Sequence, residues 1–176
     1  MTLLLTTASK HGSTIGIAKT LQACLNRAGY DTVRLPPDEV DSLAPYDAVI
    51  IGSAVYAGRW LKEARQFAET NAADLQKLPV WLFSSGPVGE PLKPLDGAAV
   101  QIENLVALTG AREHKLFAGK LDRAKLNFAE KAITYALGVK EGDYRDWGAI
   151  EAWGDKVAKE LGTMPLRRRW LEAIVK

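Results

Sequence analysis

One cysteine, two histidines and two methionines are all that 176 residues supply of the side chains most used in thiol and soft-metal chemistry. A single thiol, Cys24, excludes an internal disulfide and any multi-cysteine metal centre. Its place between Ala23 and Leu25 on a helical pattern reads as a core position, where a thiol acts as a small hydrophobe. No run approaches the roughly 18 apolar residues needed to span a bilayer. The N-terminus lacks a basic segment followed by an apolar stretch and a small-residue cleavage site, so a cytoplasmic protein is expected. A dominant charge is missing as well: the net is +2, with 25% charged and 47% hydrophobic residues. That composition suits one soluble domain with a sizeable core. It does not suit a carrier steered to its partner over long range by a strongly acidic surface.

Several chemical signatures are also absent. No Gly-Lys-Ser or Gly-Lys-Thr occurs, which removes the triphosphate loop, and only Gly12 lies in the first turn, where a dinucleotide fold needs three glycines. There is no Gly-x-Ser-x-Gly elbow for a serine hydrolase. A phosphoacceptor domain needs acids ending strands one and three, and those ends read Thr6-Thr7 and Gly52-Ser53.

What is present begins at residues 3–16. An apolar run, Leu3-Leu4-Leu5, leads into Ser9-Lys10-His11-Gly12-Ser13-Thr14, and a helical pattern follows. A strand that hands over to a helix N-terminus offers backbone N–H groups and a favourable dipole to an anion. Ser9, Ser13 and Thr14 add hydroxyls, Lys10 and His11 add positive field, and Gly12 allows close backbone approach. This loop resembles the phosphate loop of flavodoxins, roughly [ST]-x-[ST]-G-x-[ST], which wraps the terminal phosphate of FMN. Ser9, Gly12, Ser13 and Thr14 match that pattern, while His11 stands where a hydroxyl is usual.

Apolar runs and helical patterns then alternate to the end of the chain, which argues for a parallel sheet with helices on both faces. Strands are expected at about 2–7, 31–35, 47–53, 79–84 and 114–119. Helices are expected from about Ser13 to Ala28 and over about 61–75 and 98–109, the last ended by Gly110. The pattern fits a three-layer, doubly wound α/β domain of five parallel strands, the flavodoxin-like order 2-1-3-4-5. Its ligand crevice lies at the carboxyl ends of the strands. After strand five an insertion, about 120–145, carries a helix expected over about 123–137, and a final helix opens at Asp146-Trp147 and runs to about Leu161. The domain is thus expected to occupy residues 1–162. A tail, 163–176, follows as a short amphipathic helix holding four basic residues against one acid. Its Arg167-Arg168-Arg169-Trp170 run suits an anionic membrane surface, or packing on its own domain or a dimer partner. No basic stripe elsewhere supports nucleic acid.

Two further loops flank the same crevice. Ser53-Ala54-Val55-Tyr56-Ala57-Gly58, followed by Arg59-Trp60, offers glycine-permitted tight turns and the flat faces of Tyr56 and Trp60 as a wall for a planar ring. Ser85-Gly86-Pro87-Val88-Gly89 follows strand four and suits a loop rising over such a ring, with no stacking tyrosine. In flavodoxins these two loops border the isoalloxazine. Tyr56 and His11 are the only side chains singled out for a part in the chemistry. His114, at the start of strand five and away from the crevice end, reads as structural. The three loops, the stretch Tyr46-Asp47-Ala48-Val49-Ile50-Ile51-Gly52-Ser53, the insertion and Asp146-Trp147 together resemble the menaquinone-dependent protoporphyrinogen oxidase (protoporphyrinogen IX dehydrogenase) branch of the flavodoxin superfamily. That resemblance, over about 1–161, implies an FMN oxidoreductase passing electrons from a tetrapyrrole precursor to a quinone; the basic tail would allow such a cytoplasmic protein peripheral contact at the inner membrane face. A single-electron flavodoxin serving a redox protein partner, an NAD(P)H:quinone reductase and a flavin-binding regulator without turnover are the alternatives.

Overall fold

Leu3, Leu4 and Leu5 are all buried, as are Val49, Ile50 and Ile51 and every residue from Val80 to Ser85. Strands that bury consecutive side chains must be covered on both faces. The computed structural model, which describes residues 1–56, 58–86, 98–136, 138 and 140–164, covers them in that way. The elements are β1 (Thr2–Ala8), α1 (Ser13–Arg27), β2 (Asp31–Leu35), β3 (Ala48–Tyr56), β4 (Arg59–Trp60), α2 (Lys62–Thr70), α3 (Ala72–Leu75) and β5 (Val80–Ser85). They continue with α4 (Ala98–Thr109), β6 (Glu113–Phe117), β7 (Lys120–Leu121), α5 (Phe128–Ala136), β8 (Gly142–Asp143) and α6 (Trp147–Gly162).

The long strands lie in the order β2-β1-β3-β5-β6, all parallel. Counted without the two-residue β4, this is the expected 2-1-3-4-5. Alternate side chains feed two cores. Leu3, Leu5, Trp81 and Phe83 pack with α1 and α6, whereas Leu4, Val49, Val80 and Leu82 pack with α2, α3 and α4. Cys24 is buried on α1, as a core thiol should be.

Four boundaries differ from the sequence reading, each for a local reason. Strand three does not end at Ser53. It runs on to Tyr56 and turns back through Gly58, at φ 73°, so that Val55 pairs with Trp60 and Tyr56 with Arg59. The helix expected over 61–75 divides at Asn71, whose side chain and backbone N–H both donate to the Phe67 carbonyl, at 2.9 and 3.1 Å. Strand five stops at Phe117 instead of 119. The insertion opens as a 3-10 turn over Arg123–Lys125, capped where Asp122 accepts the Ala124 N–H. It restarts at a reciprocal cap: the Asn127 N–H donates to Glu130 Oε2 and the Glu130 N–H to Asn127 Oδ1, both at 2.9 Å. The antiparallel pair β7–β8 closes the base of this insertion. Asp146 caps α6 by accepting the Ala149 N–H at 2.9 Å. No helix among the described residues is long and apolar enough to cross a membrane. The tail helix expected beyond Met164 lies outside the described residues.

Candidate functional site

The crevice is built on the carboxyl ends of β1, β3 and β5. At β1, Gly12 takes φ 85°, and its N–H donates to Ser9 Oγ at 3.1 Å, which closes the turn into α1. No side chain caps α1, so its first N–H groups remain for a ligand. Nothing lies within 4 Å of where a Cβ on Gly12 would stand, leaving open space over the turn. Thr14, in the first helical turn, is buried, and its Oγ1 has no hydrogen-bond partner. A buried hydroxyl left unpaired costs about 1–3 kcal/mol; those of Thr6 and Thr32 are unpaired as well, and Thr14 is set apart by its place in the uncapped first turn of α1.

Lys10 and His11 of this turn are engaged from the insertion. Glu130 on α5 accepts from Lys10 Nζ at 2.6 Å and lies 3.3 Å from His11 Nε2. The Lys10 hydrogen bond draws the Glu130 carboxyl down to about 2. A depressed carboxyl contributes its docking in full above its ordinary value and loses it as pH falls through about 2, so the insertion stays tied at neutral pH. Ser13 is held too. Its Oγ accepts the Lys120 N–H at 3.0 Å, and its carbonyl accepts from Arg145 Nη1 at 3.2 Å. Arg145 is itself clamped by Asp143, at 2.7 and 2.5 Å, and lies over the Trp147 ring at 4.3 Å. That ion pair holds the Asp143 carboxyl below its ordinary value.

Loop two meets loop one through Tyr56. Lys10 Nζ stands 5.4 Å from the Tyr56 ring centre, and the His11 and Tyr56 rings meet edge-on at 6.1 Å. Tyr56 is 36% exposed, and burial, with the Glu130 charge second, pushes its phenol up to about 12. It therefore presents a neutral ring and a proton donor. The other sequence-selected members of this loop are turned inward. Ser53 Oγ donates to the Ala54 carbonyl at 2.8 Å and accepts the Leu61 N–H at 3.0 Å, while Ala54 and Val55 are buried. Trp60 corrects the sequence reading. It is 2% exposed and packed in the core below, so it is no wall for a ring. In loop three, Ser85 is buried, and Gly86 passes so close to Val55 that a Cβ would stand 3.2 Å from the Val55 Cβ. Ala57, Pro87, Val88 and Gly89 lie outside the described residues.

Sequence reasoning missed Glu130, Arg145, Ser84 and the partner of His114. The Asn127-x-x-Glu130 spacing marks a helix start, but nothing local says that its carboxylate reaches a lysine 120 positions earlier. A separate cleft of about 300 Å³ is lined by Ser42, Leu43, Ala44, Asp74, Lys77 and Leu78, none of them in these loops, and includes the Lys77–Asp74 ion pair. Among the described residues no cluster of His, Cys, Asp or Glu is arranged to hold a metal.

A doubly wound parallel sheet with an uncapped helix start at the carboxyl end of its first strand places the chain among the open α/β domains that bind ligands at that edge. More particularly, the chain belongs to the flavodoxin domain family, whose model matches residues 4–146. Among solved structures it is similar to a flavodoxin from the domain Archaea (TM-score 0.62, 15% identity, covering 92% of this chain and 99% of that one). It is also similar to a cysteine-to-serine mutant of flavodoxin from Pseudomonas aeruginosa (0.61, 17%, 92% and 99%). A third likeness is to rubredoxin oxygen:oxidoreductase from Desulfovibrio gigas (0.63, 13%, 92% of this chain and 36% of that one). No curated protein matches in sequence. The family is an FMN-binding, electron-transferring one, and the open, uncapped turn with its unpaired Thr14 hydroxyl fits the phosphate of that cofactor.

Proposed function

We propose that residues 9–14 hold the FMN phosphate, that residues 53–58 and 85–89 border its ring, and that the chain is a quinone-linked oxidoreductase of the protoporphyrinogen-oxidising type. The observation that carries the phosphate assignment is the buried, unpartnered Thr14 hydroxyl at the uncapped start of α1. FMN when bound supplies the redox chemistry, and the chain positions it. Thr14 donates to phosphate, the first-turn N–H groups add the helix dipole, and Tyr56 places a neutral phenol at the mouth of the crevice. Each turnover would move two electrons and two protons from a tetrapyrrole precursor to a quinone. Support for a large planar substrate comes from the insertion. Beside the phosphate turn, α5 leaves Phe128 89% and Tyr135 75% exposed, seven positions apart on one helical face.

The tail, 163–176, completes this reading as a separate basic segment that rests on an anionic membrane surface and brings the domain to a membrane-held quinone. A single-electron carrier serving a redox protein is the second reading, and the family favours it. Purified protein should carry FMN, released on heating, and anaerobic protoporphyrinogen should be oxidised when a menaquinone analogue is supplied. FMN binding with no rate above the uncatalysed reaction would leave the carrier reading standing. A colourless protein that takes up no added FMN would overturn both.

Glu130 bears on the same site. Its carboxylate sits against Lys10, the cation of the turn proposed to hold a dianionic phosphate, so Glu130→Gln should tighten FMN binding roughly ten-fold at low salt. The gain should shrink at high salt, while amide exchange along α5 quickens as the insertion loses its tie. A titration by flavin fluorescence at two ionic strengths measures the first, and hydrogen exchange the second. Unchanged affinity would mean that the carboxylate lies outside the field of the phosphate.

A further inference from the structure

Ser84 Oγ stands between two ring nitrogens beneath the second loop. The Trp60 indole N–H donates to it at 2.7 Å, and His114 Nε2 lies 2.8 Å away. Ser84 and Trp60 are 1% and 2% exposed. An indole nitrogen only donates, and a hydroxyl has one proton to give. The arrangement that fills every position therefore runs from the Trp60 N–H to Ser84 Oγ, and from the Ser84 O–H to an unprotonated His114 Nε2. The imidazole proton is then on Nδ1. This chain of bonds reaches the loop because Trp60 belongs to β4, the returning limb of the turn that carries Tyr56. The same limb is suspended at two further points. The Trp60 backbone N–H donates to Gln101 Oε1 on α4 at 2.7 Å, and Arg65 Nε on α2 donates to the Trp60 carbonyl at 3.2 Å.

We propose that His114 is a positioning residue for the second flavin loop, acting through Ser84 and Trp60, so that protonation of its imidazole loosens the border of the FMN ring. The inference rests on the reading of residues 53–58 as that border. It goes beyond it by giving the loop a titratable support on β6, at a position that sequence alone reads as merely structural.

The electrostatic surroundings agree. On the same strand Glu113 favours the charged imidazole, but its carboxylate is already bound by Lys156 at 2.8 Å and by the Trp153 indole at 3.2 Å. On β5 the register partner of His114, Leu82, and its side-chain partner, Ser84, carry no charge. Of the helices that pack on this side, α2 offers Arg65, turned to the Trp60 carbonyl, and α4 offers Glu103, which is exposed. Burial therefore outweighs Glu113 and lowers His114 from 6.5 to about 4. The sign follows from that direction. The unfolded chain takes up the proton first, so the neutral imidazole's contribution to stability is full above about 6.5 and is lost as pH drops towards 4, where the folded imidazole itself takes the proton and the support of the loop is released.

The test uses the full chain, with and without FMN, and the variants His114→Gln and His114→Ala. Glutamine places a carbonyl oxygen near the position of Nε2 and does not titrate. Long-range 15N–1H spectra of the two histidines, assigned by which signals His114→Gln removes, should show His114 with Nε2 unprotonated at neutral pH and a midpoint below 5. His114→Ala should weaken FMN binding roughly ten-fold at neutral pH. His114→Gln should stay within about two-fold of the parent and lose the part of the parent's acid decline that the phosphate, titrating near pH 6, does not cause. A protonated Nε2 at neutral pH, or FMN affinities and pH profiles that coincide in all three proteins, would overturn the proposal. A parent that shows the expected histidine signals but binds no FMN would overturn the loop assignment beneath it.

Discussion

Replacing Thr14 by valine should weaken FMN binding about 50-fold while leaving the FMN-free protein as stable as before, or slightly more stable. The two effects have opposite signs because the hydroxyl has a partner only when the cofactor is bound. Without it, Thr14 Oγ1 is buried and unpaired. An isosteric methyl removes a desolvated polar atom from that environment at no cost in volume, and threonine and valine differ little in helix propensity. With phosphate in place, the hydroxyl donates to a charged acceptor. Such a bond contributes about 1.5–3 kcal/mol, and each 1.4 kcal/mol is ten-fold in affinity. Thr134→Val is the matched control, since Thr134 Oγ1 donates to the Lys131 carbonyl at 3.0 Å within α5 and has no place in the turn. Flavin fluorescence titration reads the affinities, and thermal unfolding without FMN reads the stability. Equal losses of affinity in the two variants would show that residues 9–14 are not the phosphate site.

The features that the chain announces are those whose cause is local. Leu3-Leu4-Leu5 and Val49-Ile50-Ile51 are legible as buried strands because a run without alternation has one structural use. The turn from β1 into α1 is legible because hydroxyls and a glycine between strand and helix suit one tight geometry, which Gly12 adopts at φ 85°. What stayed hidden depends on long separations. Trp60 reads as a ring wall from its neighbours Gly58 and Arg59, yet Ser84 and Gln101, 24 and 41 positions away, bind its two nitrogens and hold it in the core. Glu130 closes the reciprocal cap with Asn127 through one oxygen, and its other oxygen ties the insertion to Lys10. One side chain serving two partners at different ranges has no sequence signature. The corrected strand three shows the same limit. Its apolar run continues visibly through Val55, but the hairpin to Trp60 is a matter of tertiary pairing.

Gly52→Ala should be among the most damaging single-methyl changes in the molecule, lowering stability by about 3 kcal/mol and the melting temperature by roughly 6–12 °C. Gly52 lies opposite Phe83 in the β3–β5 register, and the Phe83 ring occupies the volume that a Cβ on Gly52 would need. The ring cannot swing aside cheaply. It is fully buried, and it meets Phe117 at 6.0 Å and Trp153 at 6.1 Å, which meet each other at 5.7 Å. A glycine in the middle of a buried strand ordinarily weakens it, and here it is the condition for an aromatic on the neighbouring strand to lie flat against the sheet. The damage should therefore be conditional on Phe83. Phe83→Leu alone leaves a partial void and costs about 1–3 kcal/mol, but it also vacates the space that the new methyl needs. The double variant should then be more stable than the two separate losses predict, by at least about 1 kcal/mol of coupling. Denaturant unfolding of the four proteins closes this cycle. Strict additivity would mean that Gly52 is required by the backbone of β3 and not by the ring across from it. Because Ser53, the next residue, anchors Leu61 and the returning limb of the second loop, FMN binding should fall in Gly52→Ala and recover in part in the double variant.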